Sequence, residues 1–103
     1  LKCIEIKKDI GWCDDINKKK HYNKLIKIKK NIKCERLFRK DYKYDLLIPI
    51  KYNFNKPIIG KGSCIFIHLT RDFVPTAGCV GLKKKDFLIL LKLINKKTKI
   101  KIH

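Results

Sequence analysis

The chain has 103 residues, with 27 lysines and arginines against 9 aspartates and glutamates, for a formal net charge of +18. That length is one domain, able to bury roughly 60 to 70% of its unfolded surface. It holds no apolar run of the 18 or more residues that a membrane helix needs, and no Cys-x-x-Cys pair of the kind that marks structural zinc. The positive excess is almost all lysine, spread along the chain beside abundant isoleucine and asparagine. That fits A/T-rich coding better than a nucleic-acid-binding face, for which clustered arginines and aromatic platforms are expected.

In chain order, residues 1–6 alternate enough to predict a short strand, and residues 7–20 a polar loop carrying Gly11-Trp12-Cys13-Asp14-Asp15. Adjacent carboxylates beside a tryptophan suit an amine or another cationic group, although Asp-Asp in a loop more often closes a turn. His21 sits in a lysine-rich surface run. Tyr22-Asn23 is expected to anchor the loop through side-chain hydrogen bonds. Residues 24–33 mix Leu25, Ile26, Ile28 and Ile32 with lysines, and fit an irregular helix or an extended segment equally well. Residues 34–38 read as a short helix with Glu35 in its first turn, and Asp41 and Lys43 mark a turn. Residues 44–52 predict a strand in which Pro49 lacks a donor and so belongs at a sheet edge or bulge. Residues 53–62 are loop.

Cys64 to Leu69 form an apolar, β-branched and aromatic run, expected as a buried strand with His68 near its end. A polar connection through Pro75 leads to Thr76-Ala77-Gly78-Cys79 and then Val80, Gly81 and Leu82. Residues 87–94 predict a helix buried on most sides, entered through a solvated lysine run, and residues 98–102 a closing strand. Sequence alone gives an α+β fold class.

A cysteine directly after a glycine is sterically open, and backbone N–H groups there can face a developing oxyanion. An imidazole nearby takes the thiol proton, and the imidazolium then holds the sulfur's pKa below its free value of about 8.5. Cys79 and His68 suit these roles. Of the five cysteines, one stays unpaired even if two disulfides form, and Cys79 is the natural odd one. Cys3, Cys13, Cys34 and Cys64 read as packed core thiols. A two-residue period also puts Cys64, Phe66 and His68 on one strand face, so a metal held by Cys64, His68 and Cys79 is a geometric alternative. No cofactor or metal is expected.

At His68, Thr76, Gly78, Cys79 and Val80 the chain resembles the L,D-transpeptidases with a YkuD-type catalytic domain, whose signature is a strand histidine followed by Ser/Thr-His-Gly-Cys and a hydrophobic residue. Ala77 stands where that signature has its second histidine, and Gly81 where a polar residue is usual. The resemblance spans essentially the whole chain, through Gly11 to Asp15, Tyr22-Asn23, Glu35 to Leu37 and Tyr44-Asp45, which match ordered motifs of a bacterial subgroup. That subgroup has further strands upstream, so the chain, which begins at Leu1, is expected to be a piece of a longer protein.

The resemblance implies a mostly β fold of mixed sheets with a C-terminal helix and closing strand, and acyl transfer on peptidoglycan stem peptides in the periplasm or cell envelope, with an amine of a second stem peptide or an envelope protein as acceptor. Cys79 would be the nucleophile and His68 the base. Gly78 would lend an oxyanion N–H, and the Leu69 carbonyl would orient the imidazole. Thr76, Arg71, Asp14 and Asp15 are the expected substrate contacts. A cysteine hydrolase using the same dyad, and a basic nucleic-acid-binding module, are the alternatives from other classes.

Overall fold

Gly11 draws two strands together, because a Cβ there would lie 2.8 Å from Cys34 Sγ and 3.2 Å from the Glu35 carbonyl oxygen. Only a glycine lets the neighbouring strand come this close. The computed structural model describes residues 2–72, 76 and 78–101. In it, β1 (Ile10–Cys13) is the centre of a three-stranded antiparallel sheet, flanked by β2 (Leu25–Lys27) and β3 (Cys34–Arg36). The stretch expected as a polar loop therefore contains a central strand. Trp12 and Cys13 are buried on it, at 5% and 0% exposure.

Residues 34–36 are strand, and the short helix expected over 34–38 does not form. Glu35 pairs with Trp12 across the ladder, and its carboxylate accepts a bond from the Tyr44 hydroxyl at 2.7 Å. Those cross-chain partners outweigh a weak local preference for helix. Residues 25–27 take the extended alternative, while residues 2–6 form no strand.

The second sheet has the order β4 (Leu47–Pro49), β5 (Phe66–Leu69), β6 (Val80–Leu82), with β4 antiparallel and β6 parallel to the middle strand. Pro49 closes the edge strand, where its missing donor costs no ladder bond, and the strand is shorter than the expected 44–52. All four residues of β5 are buried. Its alternate side chains serve two cores. Phe66 packs with Trp12, Leu37 and Tyr44 against the first sheet, whereas Ile67 and Leu69 pack with Phe87 of α1 (Lys84–Leu93). Phe66 meets Trp12 and Tyr44 edge to face, with ring centroids 5.3 and 5.7 Å away. The molecule is thus a small, mostly β α+β structure of two three-stranded sheets and one helix near the C-terminus.

Two expectations near the C-terminus need correction. α1 buries only Phe87, with Leu88, Ile89 and Leu93 at 43, 50 and 75% exposure, because the sheet covers one narrow stripe of it. Residues 98–101 form no closing strand, and Ile102 lies outside the described residues. No helix among the described residues is long and apolar enough to cross a membrane.

Asn23 ties the two sheets together. Its Oδ1 accepts from Trp12 Nε1 at 2.8 Å and from the Cys64 amide at 3.4 Å, and its Nδ2 donates to the carbonyls of Tyr52 and Asn53. It is 2% exposed and has φ +56°, a left-handed conformation that asparagine tolerates better than most residues. The expected anchoring role of Tyr22-Asn23 is thus fulfilled by Asn23. Asn23→Ala strands a buried indole N–H and two carbonyls, so urea denaturation should show a loss of about 3 kcal/mol.

Candidate active site

His68 is 6% exposed on the middle strand, between Leu47 on one side and Gly81 on the other. Its Nδ1 lies 2.8 Å from the carbonyl oxygen of Leu69. A carbonyl only accepts, so Nδ1 carries a hydrogen, and in the neutral ring the lone pair is then on Nε2. The imidazole is therefore held in the tautomer that a proton acceptor needs. Tyr44 covers one side of the ring, with centroids 5.9 Å apart.

Gly81 has its own reason to be a glycine. A Cβ there would meet Thr70 Cγ2 at 3.0 Å and His68 Cε1 at 3.8 Å. A larger side chain would press on the strand end that carries the histidine.

The parallel register pairs Ile67 with Val80 and His68 with Gly81. One step back along that register, Cys79 stands beside Phe66, on the face that Phe66 and His68 share. Cys79, one residue before β6, is thus placed diagonally from His68 on that face. Gly78, just before the cysteine, has φ +120°, which restricts the position to glycine. It also lines a groove of about 590 Å³ together with Ile50, Tyr52, Ile65 and Ile100. A second cavity, about 740 Å³, is bounded by residues 2–6, the first sheet and the Tyr44 to Pro49 stretch, and neither Cys79 nor His68 lines it or the groove beside Gly78. Gly78 is the residue of the cysteine segment that reaches the smaller groove.

The half-buried Cys79 thiol donates to the Cys64 carbonyl at 3.3 Å. Cys64 offers that carbonyl from a left-handed conformation, φ +60°, which costs a non-glycine residue about 1 kcal/mol or more. Cys64 precedes β5, which begins at Phe66, and packs on the same aromatic cluster as Phe66 and Cys79. Among the described residues no group of three His, Cys, Asp or Glu side chains is arranged to hold a metal ion. The metal alternative thus lacks its geometry.

The electrostatics also differ from expectation. Burial pushes the Cys79 thiol above its ordinary value, the Phe66 N–H pulls it partly back, and the Glu35 carboxylate raises it further. The expected low value, set by an imidazolium, is not the resting state. Desolvation disfavours the thiolate, and the nearest influential charge is negative. Cys64 is driven up to about 12, mainly by burial, and Cys13 is raised for the same reason.

These raised values have a consequence for stability. Below about pH 8.5 both folded and unfolded chains keep these protons. Above it the unfolded thiols ionise first, so stability falls as pH rises from there toward the Cys64 value of about 12. Urea midpoints taken between pH 8 and 11, read as a parent-minus-variant difference, should show the parent losing on the order of 1 to 2 kcal/mol more than Cys64→Ser.

Of the remaining expected residues, Thr76 is exposed, and its hydroxyl donates to the Cys79 carbonyl, bracing the segment that carries the sulfur. Arg71 is exposed and stacks on Tyr42, its Cζ 3.9 Å from the ring centroid. Asp15 is a turn residue: its carboxylate oxygens accept from the amides of Asn17 and Lys33, both at 3.0 Å, which holds its pKa below the ordinary value. Asp14 keeps a buried Oδ1 with no hydrogen-bond partner. Pro75 and Ala77 lie outside the described residues, Cys3 is exposed instead of packed in a core, and His21 is exposed as expected.

Glu35 and Tyr44 were not among the expected site residues, yet the carboxylate acts on Cys79 and the phenol ring flanks His68. The burial and the Glu35 bond hold the Tyr44 hydroxyl protonated far above its usual range. Their signal lay in the ordered motifs Glu35 to Leu37 and Tyr44-Asp45, which converge on this side of the second sheet. Comparison of the chain with protein-family models, with curated proteins and with solved structures finds no match.

Proposed function

We propose that the chain is the catalytic domain of an L,D-transpeptidase of the YkuD type, acting on peptidoglycan stem peptides in the periplasm or cell envelope. The observation that carries this reading is the His68 tautomer. Its Nδ1–H is committed to the Leu69 carbonyl, and Nε2 is left as a base on the sheet face of Cys79. The motif residues around it support the same reading.

In the proposed reaction, Cys79 Sγ attacks the carbonyl of the L-centred link that precedes a terminal D-amino acid. His68 Nε2 accepts the thiol proton as the S–C bond forms, and the oxyanion is received by the N–H groups of Gly78 and Cys79. Collapse breaks the C–N bond. His68 returns the proton to the departing amine, leaving a thioester on Cys79. An acceptor amine then attacks the thioester, gives its proton to His68, and regenerates the thiol as the new amide forms. Because the resting thiol is raised, proton removal accompanies attack instead of preceding it. Asp14, with an oxygen still unpartnered, is the carboxylate suited to a cationic group of the stem peptide.

The test is intact-mass analysis of the protein incubated with a stem tetrapeptide. A tripeptide acyl adduct on Cys79 with release of the terminal D-amino acid is the expected result, followed by a new amide when an amine acceptor is added. Only free tripeptide acid would make the protein a hydrolase with the same dyad, and no adduct or release would overturn the reading.

A further inference from the structure

We propose that Cys13 and Cys34 form a reversible cross-strand disulfide that latches β3 to the central strand of the first sheet. This inference is independent of the proposed acyl transfer. Cys13 and Cys34 are direct partners in the antiparallel ladder of β1 and β3. On either side of them along the ladder, the Asp14 amide donates to the Lys33 carbonyl and the Leu37 amide to the Ile10 carbonyl. Counting residue by residue between those bonds makes Ile10 with Leu37, Trp12 with Glu35 and Asp14 with Lys33 the hydrogen-bonded pairs. Cys13 and Cys34 therefore form a non-hydrogen-bonded pair, in which the Cα atoms approach to about 4.5 Å and the side chains are closest. That separation is within the range of about 4.4 to 6.8 Å that disulfides span.

Both thiols are free. The Cys34 sulfur now leans into the space above Gly11, 2.8 Å from where a Cβ would stand. A rotation about its own χ1 redirects it along the same sheet face toward Cys13. The other thiols are less suited: Cys3 is exposed and lies outside the strands, and the Cys79 thiol is directed at a backbone carbonyl.

Accessibility orders the chemistry. Cys34 is half-buried and Cys13 fully buried, so Cys34 meets an oxidant first. Its thiolate attacks one sulfur of an external disulfide, forming a mixed disulfide and releasing one thiolate. The Cys13 thiolate then attacks the Cys34 sulfur, closing the bridge and releasing the second. Two protein thiols are oxidised and one external disulfide is reduced to two thiols, which take up the two protons.

The bridge fixes Glu35, the next residue on β3, against the strand that carries Trp12. It also leaves Cys79 as a free thiol. The test treats the full chain with oxidised glutathione, alkylates what remains, and maps non-reduced peptides. The expected result is loss of two of the five thiols, a Cys13–Cys34 linked peptide, and a melting temperature roughly 10 °C above that of the reduced chain. Cys34→Ser, half-buried and tolerant of a hydroxyl, should abolish both the linked peptide and the temperature difference, while Cys64→Ser keeps them. A glutathione adduct that persists on Cys34, a Cys64–Cys79 bridge in its stead, or an unchanged melting temperature would overturn the proposal.

Discussion

Cys79→Ser is expected to abolish acyl-enzyme formation while the protein stays folded. A serine hydroxyl is nearly isosteric with the thiol and can still donate to the Cys64 carbonyl, so stability should change by no more than about 1 kcal/mol. The alcohol is a far weaker nucleophile at neutral pH, and a base fitted to sulfur does not restore it. Loss of the nucleophile should lower acylation by at least about 10³, a conservative figure for a residue that acts as a unit with its base. Intact mass after incubation with stem tetrapeptide measures the adduct, and a denaturation curve checks the fold. Turnover at the parental rate would mean that the chemistry, if any, resides elsewhere.

His68→Ala should slow acylation by roughly 10² to 10⁴, the range for loss of a general base. What it should not do is move the alkylation profile of the resting Cys79. Burial, the Phe66 N–H and the Glu35 carboxylate set that thiol's titration, in that order. The raised value means slow alkylation at neutral pH that accelerates as pH passes above the ordinary thiol range of about 8.5. Glu35→Gln removes an anion and should shift the profile down, toward lower pH, with the Tyr44 hydroxyl still able to donate to the amide oxygen. Iodoacetamide rate against pH, measured on both variants, separates the two influences. If His68→Ala alone moved the midpoint upward, a resting imidazolium would be holding the sulfur, and proton removal would precede attack.

The two measurements address different atoms. Cys79→Ser asks whether the sulfur reacts, and the His68 and Glu35 variants ask what governs its proton. An acylation rate that survives loss of His68 would move the base role to another group even if Cys79 remained the nucleophile.

Much of the site was legible from local pattern. The apolar run ending in Cys64 to Leu69 is long enough and β-branched enough to announce a strand, and Pro49 marks an edge because a missing N–H has only one tolerable place in a sheet. His68, Gly78 and Cys79 stood out because their chemistry is carried by residue type and order. The contact of Nδ1 with the Leu69 carbonyl needs only adjacent residues on one strand, so it too followed from the motif. The helix near the C-terminus followed from the length of its apolar stretch.

Tertiary structure decided the remainder. β1 hides in a segment of glycine and aspartates, and becomes a strand only because Gly11 accepts the close approach of β3 and Trp12 finds Asn23, Phe66 and Tyr44. Glu35 reads locally as the first turn of a helix, yet its partners are Trp12 and Tyr44, brought to it by pairing. How much of α1 is covered depends on the width of the sheet beneath it, and so Leu88, Ile89 and Leu93 remain in water. The direction of the Cys79 shift was misread for the same reason. A His and a Cys in sequence say that an imidazole is near, but the proton's free energy depends on how much water and which other charges surround the sulfur. Periodicity, breakers and motif order are properties of a short window of chain, so the sequence determined the strand and the edge. Burial and long-range pairing are sums over residues far apart in sequence, and only the folded chain evaluates them.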